Sequence, residues 1–483
     1  MKELSALVRA SLGVLVCVIV CLIAESVAYA ADSIVADTFP LNIYQRKLDG
    51  QWSGTTVASD GKAYFGSSTH AYDAAGIFCQ YDPTAQQVTV LSADLSATCG
   101  EDAVWQVPQG KLHSDIVESN GWLYFATHLA NYWPEAQDVY TGYHIVGYEL
   151  GSAEAGTPNF RDLGIPRARY SNYAGIQVDP TGQYIYTTAN PFADADQAVS
   201  PMHVYRTEIA TGTHLDLGPA GLNGSGKCDF MFMDGRGDVW FTNRSGDGDL
   251  FVVRSGSTSV ESYSGVLPTL TSWVSDVPAA NQDGKWWRWG SAMGDGDRYL
   301  FTMRNSAEDY GGALWEFNSA KMAVDPAQAF RKVAFVGPTD LGMALGPDRV
   351  YYLQRSDGAP SQAAYPPDTQ HLWHVLLDGD APNRLHDYGE IVDADGRTPM
   401  RLPAFSTDGE GQLYMTGDWN MLGSDPVEYR MLRHDGGTST SYSLIDRGEM
   451  FAVVTVEVPE PTTSILLLAG AGTFIRRRRA IVK

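Results

Sequence analysis

One local pattern recurs seven times along this chain of 483 residues, and its spacing constrains the fold more than any other feature. The unit is an apolar segment, then a turn of the Asp-Gly or Asn-Gly type, then a short aromatic or β-branched strand. Copies run from Val57 to Phe65, Ile116 to Phe125, Ile176 to Tyr186, Phe230 to Phe241, Met293 to Phe301, Met343 to Tyr352 and Phe405 to Met415. The fourth turns at Asp234-Gly235, and the sixth at Gly346-Pro347-Asp348 with no Gly after its Asp. Gly after Asp or Asn accommodates the positive φ of tight β-turns, so each copy predicts a hairpin. The closing residues lie 60, 61, 55, 60, 51 and 63 positions apart, a mean of about 58. That length holds four strands and their loops, which is one propeller blade.

A second, less regular hairpin follows each first one. Ile77–Tyr81, His144–Tyr148, His203–Arg206, Leu250–Val253, Ala313–Phe317, Leu372–Val375 and Tyr429–Leu432 take the third-strand place. A helical reading fails, because no long stretch keeps the i, i+3, i+4, i+7 period and 49 Gly with 24 Pro would break most candidates. The expected fold is all-β: a seven-bladed β-propeller of four-stranded blades over residues 31–457. Ile34 to Tyr44 would supply an outer strand closing the ring with the last blade. A two-domain β-sandwich is the alternative, and such even spacing is hard to obtain from it.

The two ends read as processing segments. Lys2 and Arg9 precede an apolar run from Leu12 to Ala24, and Ala28-Tyr29-Ala30 offers the small residues of a signal-peptidase site, so residues 1–30 are expected to be a signal peptide. An uncleaved anchor is the alternative. At the other end, Pro459-Glu460-Pro461 is followed by an apolar stretch from Ile465 to Ile475 and by Arg476, Arg477, Arg478 and Arg479. This order resembles the PEP-CTERM tail of bacterial envelope proteins, which an exosortase-type transpeptidase reads. The resemblance covers residues 458–483 alone. It implies an exosortase partner, a short sorting helix and a place in the cell envelope or outside the cell, and it says nothing about activity upstream. Eleven apolar residues before Arg476 fall short of the about 20 that span a bilayer, and arginines stay on the cytoplasmic side. The expected membrane contact is therefore a transient stop during export.

Taking away both ends leaves 27 basic and 54 acidic residues, a net charge of −27. Such a field repels phosphate backbones and anionic lipid, which argues against a nucleic-acid partner. Cys79, Cys99 and Cys228 remain, with no CxxC or Cys/His metal spacing. Cys79 and Cys99 either form a disulfide or stand as two separate buried thiols.

In a propeller the first strand of each blade lines the channel, so residues just ahead of those strands converge on its axis. That rule selects His113, Asp115, Tyr170, Asn172, Tyr173, Asp229, Arg288, Asp340 and Arg401. Guanidinium groups bind carboxylates bidentately and aromatic faces pack on sugar rings, so this set suits a carboxylated sugar. His70, His113 and His128 bracket hairpins of neighbouring blades and are candidate ligands for a divalent metal. Seven blades with pore-facing His and Arg also resemble the oligogalacturonate lyases in fold and residue type, without an aligned motif. The expected function is an exported binding or structural module for a glycan. The alternative is a metal-dependent uronate lyase or hydrolase, with Arg288 or Arg401 as base beside a metal-bound carboxylate.

Weaker signals fall away. Asp393-Ala394-Asp395-Gly396 and Asp247-Gly248-Asp249 lack the downstream acid of an EF-hand loop. No GxSxG elbow, HExxH helix or Walker loop is present. Trp286-Trp287-Arg288-Trp289 offers a sugar platform, although packing between blades is the expected use of at least two of its indoles.

Overall fold

Turn chemistry sets the hairpins. The computed structural model describes residues 33–71, 73–101, 106–130, 139–191, 201–221, 228–243, 248–268, 286–293, 296–304, 313–335, 339–355, 370–377, 385–420, 427–431, 440–444 and 447–456. The signal peptide and the sorting tail expected at the two ends lie outside these residues. In the second unit Ser119 pairs with Trp122, and Asn120 and Gly121 between them have φ of 52° and 77°. Two successive left-handed residues are what a type I′ turn requires. In the fourth unit the left-handed glycine is Gly237, φ 83°, rather than the expected Gly235. The Asp234 carboxylate accepts from the backbone N–H of Arg236 and Asp238, which shifts the turn two residues on. Asp179 and Asp408 accept backbone N–H groups in the same way. The recurring aspartates are thus Asx-turn acceptors.

All seven first hairpins form, each antiparallel. The arrangement is propeller-like and all-β, but the hydrogen bonding does not draw seven separate blades. Five sheets stand alone, beginning with Thr55–Val57, Ala63–Ser67, Ile77–Asp82 and Gln87–Ser92. The sixth and seventh units share one eight-stranded sheet. The joint is the N-terminal strand Ile34–Pro40. Its start runs parallel to Leu385–Asp393 of the sixth unit, and its end runs antiparallel to Arg447–Thr455 of the seventh. The third strand of the seventh unit is Arg447–Thr455, paired with Gln412–Asn420. The expected segment at Tyr429 belongs instead to Val427–Met431, which among the described residues pairs with Thr440–Leu444 alone, in a two-stranded hairpin inserted between them.

Apolar side chains gather between sheets. Seven core clusters lie among the described residues, one at each junction of neighbouring units, the last with the first included. At that closing junction Phe65 stacks on Phe451 with ring centroids 4.2 Å apart. Trp287 and Trp289 are buried in two different clusters, so both pack between sheets and neither is a sugar platform. Cys79, Cys99 and Cys228 are free and buried, which removes the disulfide. Cys79 lies in the closing cluster, while Cys99 faces the second unit.

Candidate functional site

The first strands enclose a channel. A cavity of about 350 Å3 is lined by residues from every unit, among them Thr55, Val117, Gln177, Met231, Gly290, Ala344 and Phe405. Asp115 also lines it. Its carboxyl is partly buried, and that burial pushes its pKa up to about 7. Across the channel stands Tyr299, 1 % exposed, whose hydroxyl has no hydrogen-bond partner. Its ring stacks on Phe232 at 4.8 Å, and its hydroxyl lies over Gly290, where a Cβ would meet it at 1.7 Å. Glycine at 290 is therefore the condition for a tyrosine at 299.

Above Asp115 four rings meet. His113 and His128 are 3 % and 0 % exposed and stack at 4.4 Å with an interplanar angle of 29°. Half-buried Trp52 tilts against His113 at 4.5 Å, and half-buried Tyr173 meets it edge-on at 5.1 Å. The Lys111 ammonium sits 5.1 Å from the Trp52 ring centre, a cation–π distance. Local backbone pairing holds this group, with Lys111 bridged to His128 and the Ser53 hydroxyl donating to the His113 carbonyl.

This geometry corrects the metal expectation for His70, His113 and His128. Stacked imidazoles present π faces to each other, not nitrogens to a shared centre. His70 turns its Nδ1 to the Asp49 carboxylate at 3.0 Å. Among the described residues no group of three His, Cys, Asp or Glu is placed to hold a metal ion.

The remaining candidates separate. Tyr170 lies under the Arg167 guanidinium at 4.0 Å. Asn172 donates from Nδ2 to the carbonyls of Gly175 and Thr188 at 2.8 and 2.9 Å, which makes it a bracket inside the third unit. Asp229 is buried just ahead of the channel-lining Phe230. Arg288, Asp340 and Arg401 occupy described strands, but their side chains lie outside the described set. The sequence reading missed Trp52, Lys111 and Tyr299. Trp52 precedes the first unit's strand as His113 precedes the second's, so the same rule could have found it.

It also missed a polar corner in the third unit. Asn190 is 0 % exposed and neither its Oδ1 nor its Nδ2 has a partner. The Ser171 hydroxyl and the Asn172 Oδ1 are likewise buried without one. Ser171 pairs with Asn190 across the sheet, which places this corner two residues from Tyr173.

No family model matches the chain, and no curated protein matches it. Solved structures do. Virginiamycin B lyase from Staphylococcus aureus, in an inactive form, aligns with 88 % of this chain and 100 % of its own at 10 % identity and a TM-score of 0.46. The Cps50 β-propeller domain of Myceliophteria thermophila gives the same coverage at 9 % identity and 0.48. A periplasmic gluconolactonase of Pseudomonas aeruginosa covers 70 % of this chain and 84 % of its own at 13 % identity and 0.40. At such TM-scores the fold and the function rest on the chain's own residues.

Proposed function

We propose that this chain is an exported seven-bladed propeller that binds a glycan at the mouth of its channel. The eight-stranded sheet then counts as two blades, with Ile34–Pro40 as the outer strand of the last. Two features of that sheet support the count: the antiparallel pairing of the N-terminal strand with Arg447–Thr455 and an apolar cluster between the sixth and seventh units. Export, sorting by an exosortase-type enzyme and an envelope or extracellular place follow the resemblance of the tail.

The observation that carries the glycan reading is the Asn190 carboxamide, buried with donor and acceptor both unpartnered and paired across the sheet with Ser171, two positions before Tyr173. An unsatisfied buried polar group costs roughly 1–3 kcal/mol, and a sugar hydroxyl, which donates and accepts, would satisfy it. Trp52 and Tyr173 supply half-buried rings for sugar faces. Asp115 and Glu118 make the described channel lining acidic, so a neutral glycan suits it better than a uronate.

Retention of the purified full chain on immobilised neutral and acidic glycans tests this. Asn190→Leu should abolish retention on a neutral glycan while leaving the melting temperature unchanged or raised, because an orphaned polar group is replaced by an apolar one of similar size. Retention that survives Asn190→Leu, Trp52→Ala and Tyr173→Ala would remove the mouth from the account.

A further inference from the structure

We propose that the channel below the mouth is a separate site for a small organic cation bearing N–H groups, a protonated primary amine, held between the Asp115 carboxylate and the Tyr299 hydroxyl. The inference stands on the channel alone and does not need the glycan reading.

Four observations converge. The cavity is large enough, at about 350 Å3, for a small ligand to be enclosed. Two carboxylates line it, and they differ: Glu118 is taken by the Ser59 backbone N–H at 2.7 Å and by the Ser59 hydroxyl, whereas burial leaves Asp115 poorly solvated. The Tyr299 hydroxyl is buried, unpartnered and fixed in place by the ring stack on Phe232 and the clearance at Gly290. Finally, Phe230 and Trp289 form part of the wall, and aromatic faces attract cations.

The chemistry selects the ligand. An anion would meet Asp115 and Glu118 with no basic side chain among the described lining residues. A neutral alcohol could bond Tyr299 but would leave the carboxylate uncompensated. A primary ammonium donates to Asp115 and Tyr299 together while its carbon chain covers the aromatic wall. A quaternary ammonium has no N–H for either oxygen. The Cys228 thiol donates to the Phe230 carbonyl at 3.3 Å, burial keeps both that thiol and the Tyr299 hydroxyl protonated, and Asp229 is a further buried carboxyl beside Cys228. Binding a cation favours the charged carboxylate, so it should expel a proton from Asp115 near neutral pH.

Calorimetric titration of the purified full chain with n-butylammonium, tetramethylammonium and n-butanol is the test. Butylammonium should bind at least about tenfold more tightly than the other two, with a heat that depends on the buffer's ionisation enthalpy because a proton is released. Asp115→Asn should weaken the amine by about tenfold or more and remove the buffer dependence, and Tyr299→Phe should weaken it by roughly threefold to tenfold. Equal binding of butanol and butylammonium, an unchanged affinity in Asp115→Asn, or no saturable heat from the amine would overturn the proposal. If Asp115→Asn fails to fold, the wild-type ligand comparison and Tyr299→Phe decide. Loss of glycan retention would leave these outcomes untouched.

Discussion

Replacing His144 with Gln should cost this protein at least about 3 kcal/mol near pH 6, and the cost should shrink steadily as pH rises to 9. His144 is 5 % exposed and lies between two carboxylates, with Nδ1 2.9 Å from Asp162 and Nε2 2.9 Å from Glu101. Burial alone would push the imidazole's pKa down. The hydrogen bonds with Asp162, Cys99 and Glu101 outweigh it and push the pKa up to about 12. Glu101 is itself buried, and the Gln109 amide and Thr141 hydroxyl also donate to it. Removing the imidazolium leaves that carboxylate without its cation, a loss of about 3–5 kcal/mol for a buried pair. Gln keeps part of the hydrogen bonding, which places the estimate at the lower end.

The pH dependence follows from the direction of the shift. A pKa raised on folding stabilises fully below the unfolded value of about 6.5 and loses that contribution as pH climbs toward the folded value. The slope is at most about 1.4 kcal/mol per pH unit, so roughly 3 kcal/mol disappears between pH 6.5 and 9. Urea denaturation of both chains at pH 6, 7.5 and 9 measures the difference. A gap that stays constant over this range would show that His144 is not held as the cation and would refute the reasoning.

Three further outcomes are expected. Gly290→Ala should destabilise the fold by about 1–3 kcal/mol through the clash with Tyr299, and the cost should shrink in a Tyr299→Ala background, as a double-mutant cycle by denaturation would show. Phe451→Ala should cost about 3–5 kcal/mol because it empties the junction between the last unit and the first, read as a shift of the denaturation midpoint. Changing Pro459-Glu460-Pro461 to alanines should leave the protein exported with its C-terminus uncleaved; intact mass decides, and normal tail removal in the variant would sink the sorting proposal.

The hairpins were legible because turn chemistry is local. Asn120-Gly121 can hardly turn any other way, and the aspartates of the repeats are read from their own backbone neighbours. The limits appear where partners are distant. Asp234-Gly235-Arg236-Gly237 offers two glycines, and only the capture of two N–H groups by Asp234 selects the second. Tyr429–Leu432 has strand composition, but the inserted hairpin pushes the true third strand to Arg447–Thr455. The merging of two units into one sheet depends on the register of Ile34–Pro40 with both, which no local window contains.

At the site the same division holds. Of the residues picked by position ahead of a first strand, Asp115 lines the channel, and His113 and Tyr173 meet in one ring cluster. It could not give ring orientation, and orientation is what turned three histidines from a metal set into a stacked pair and a neighbour of Asp49. Asn190 had no sequence signal, because being orphaned is a property of the surroundings. A glycine diagonally opposite an aromatic across a hairpin, Gly290 against Tyr299, is the trace such a site leaves.

Closure of the ring by its N-terminal strand is tested most directly by denaturant unfolding of a chain lacking residues 34–40. Their loss exposes the edge of Arg447–Thr455 and removes Phe39 from its contact with Phe451. Closure predicts a midpoint lowered substantially or a transition that loses its single cooperative step. A truncated chain that unfolds in one step at the full chain's midpoint would contradict it.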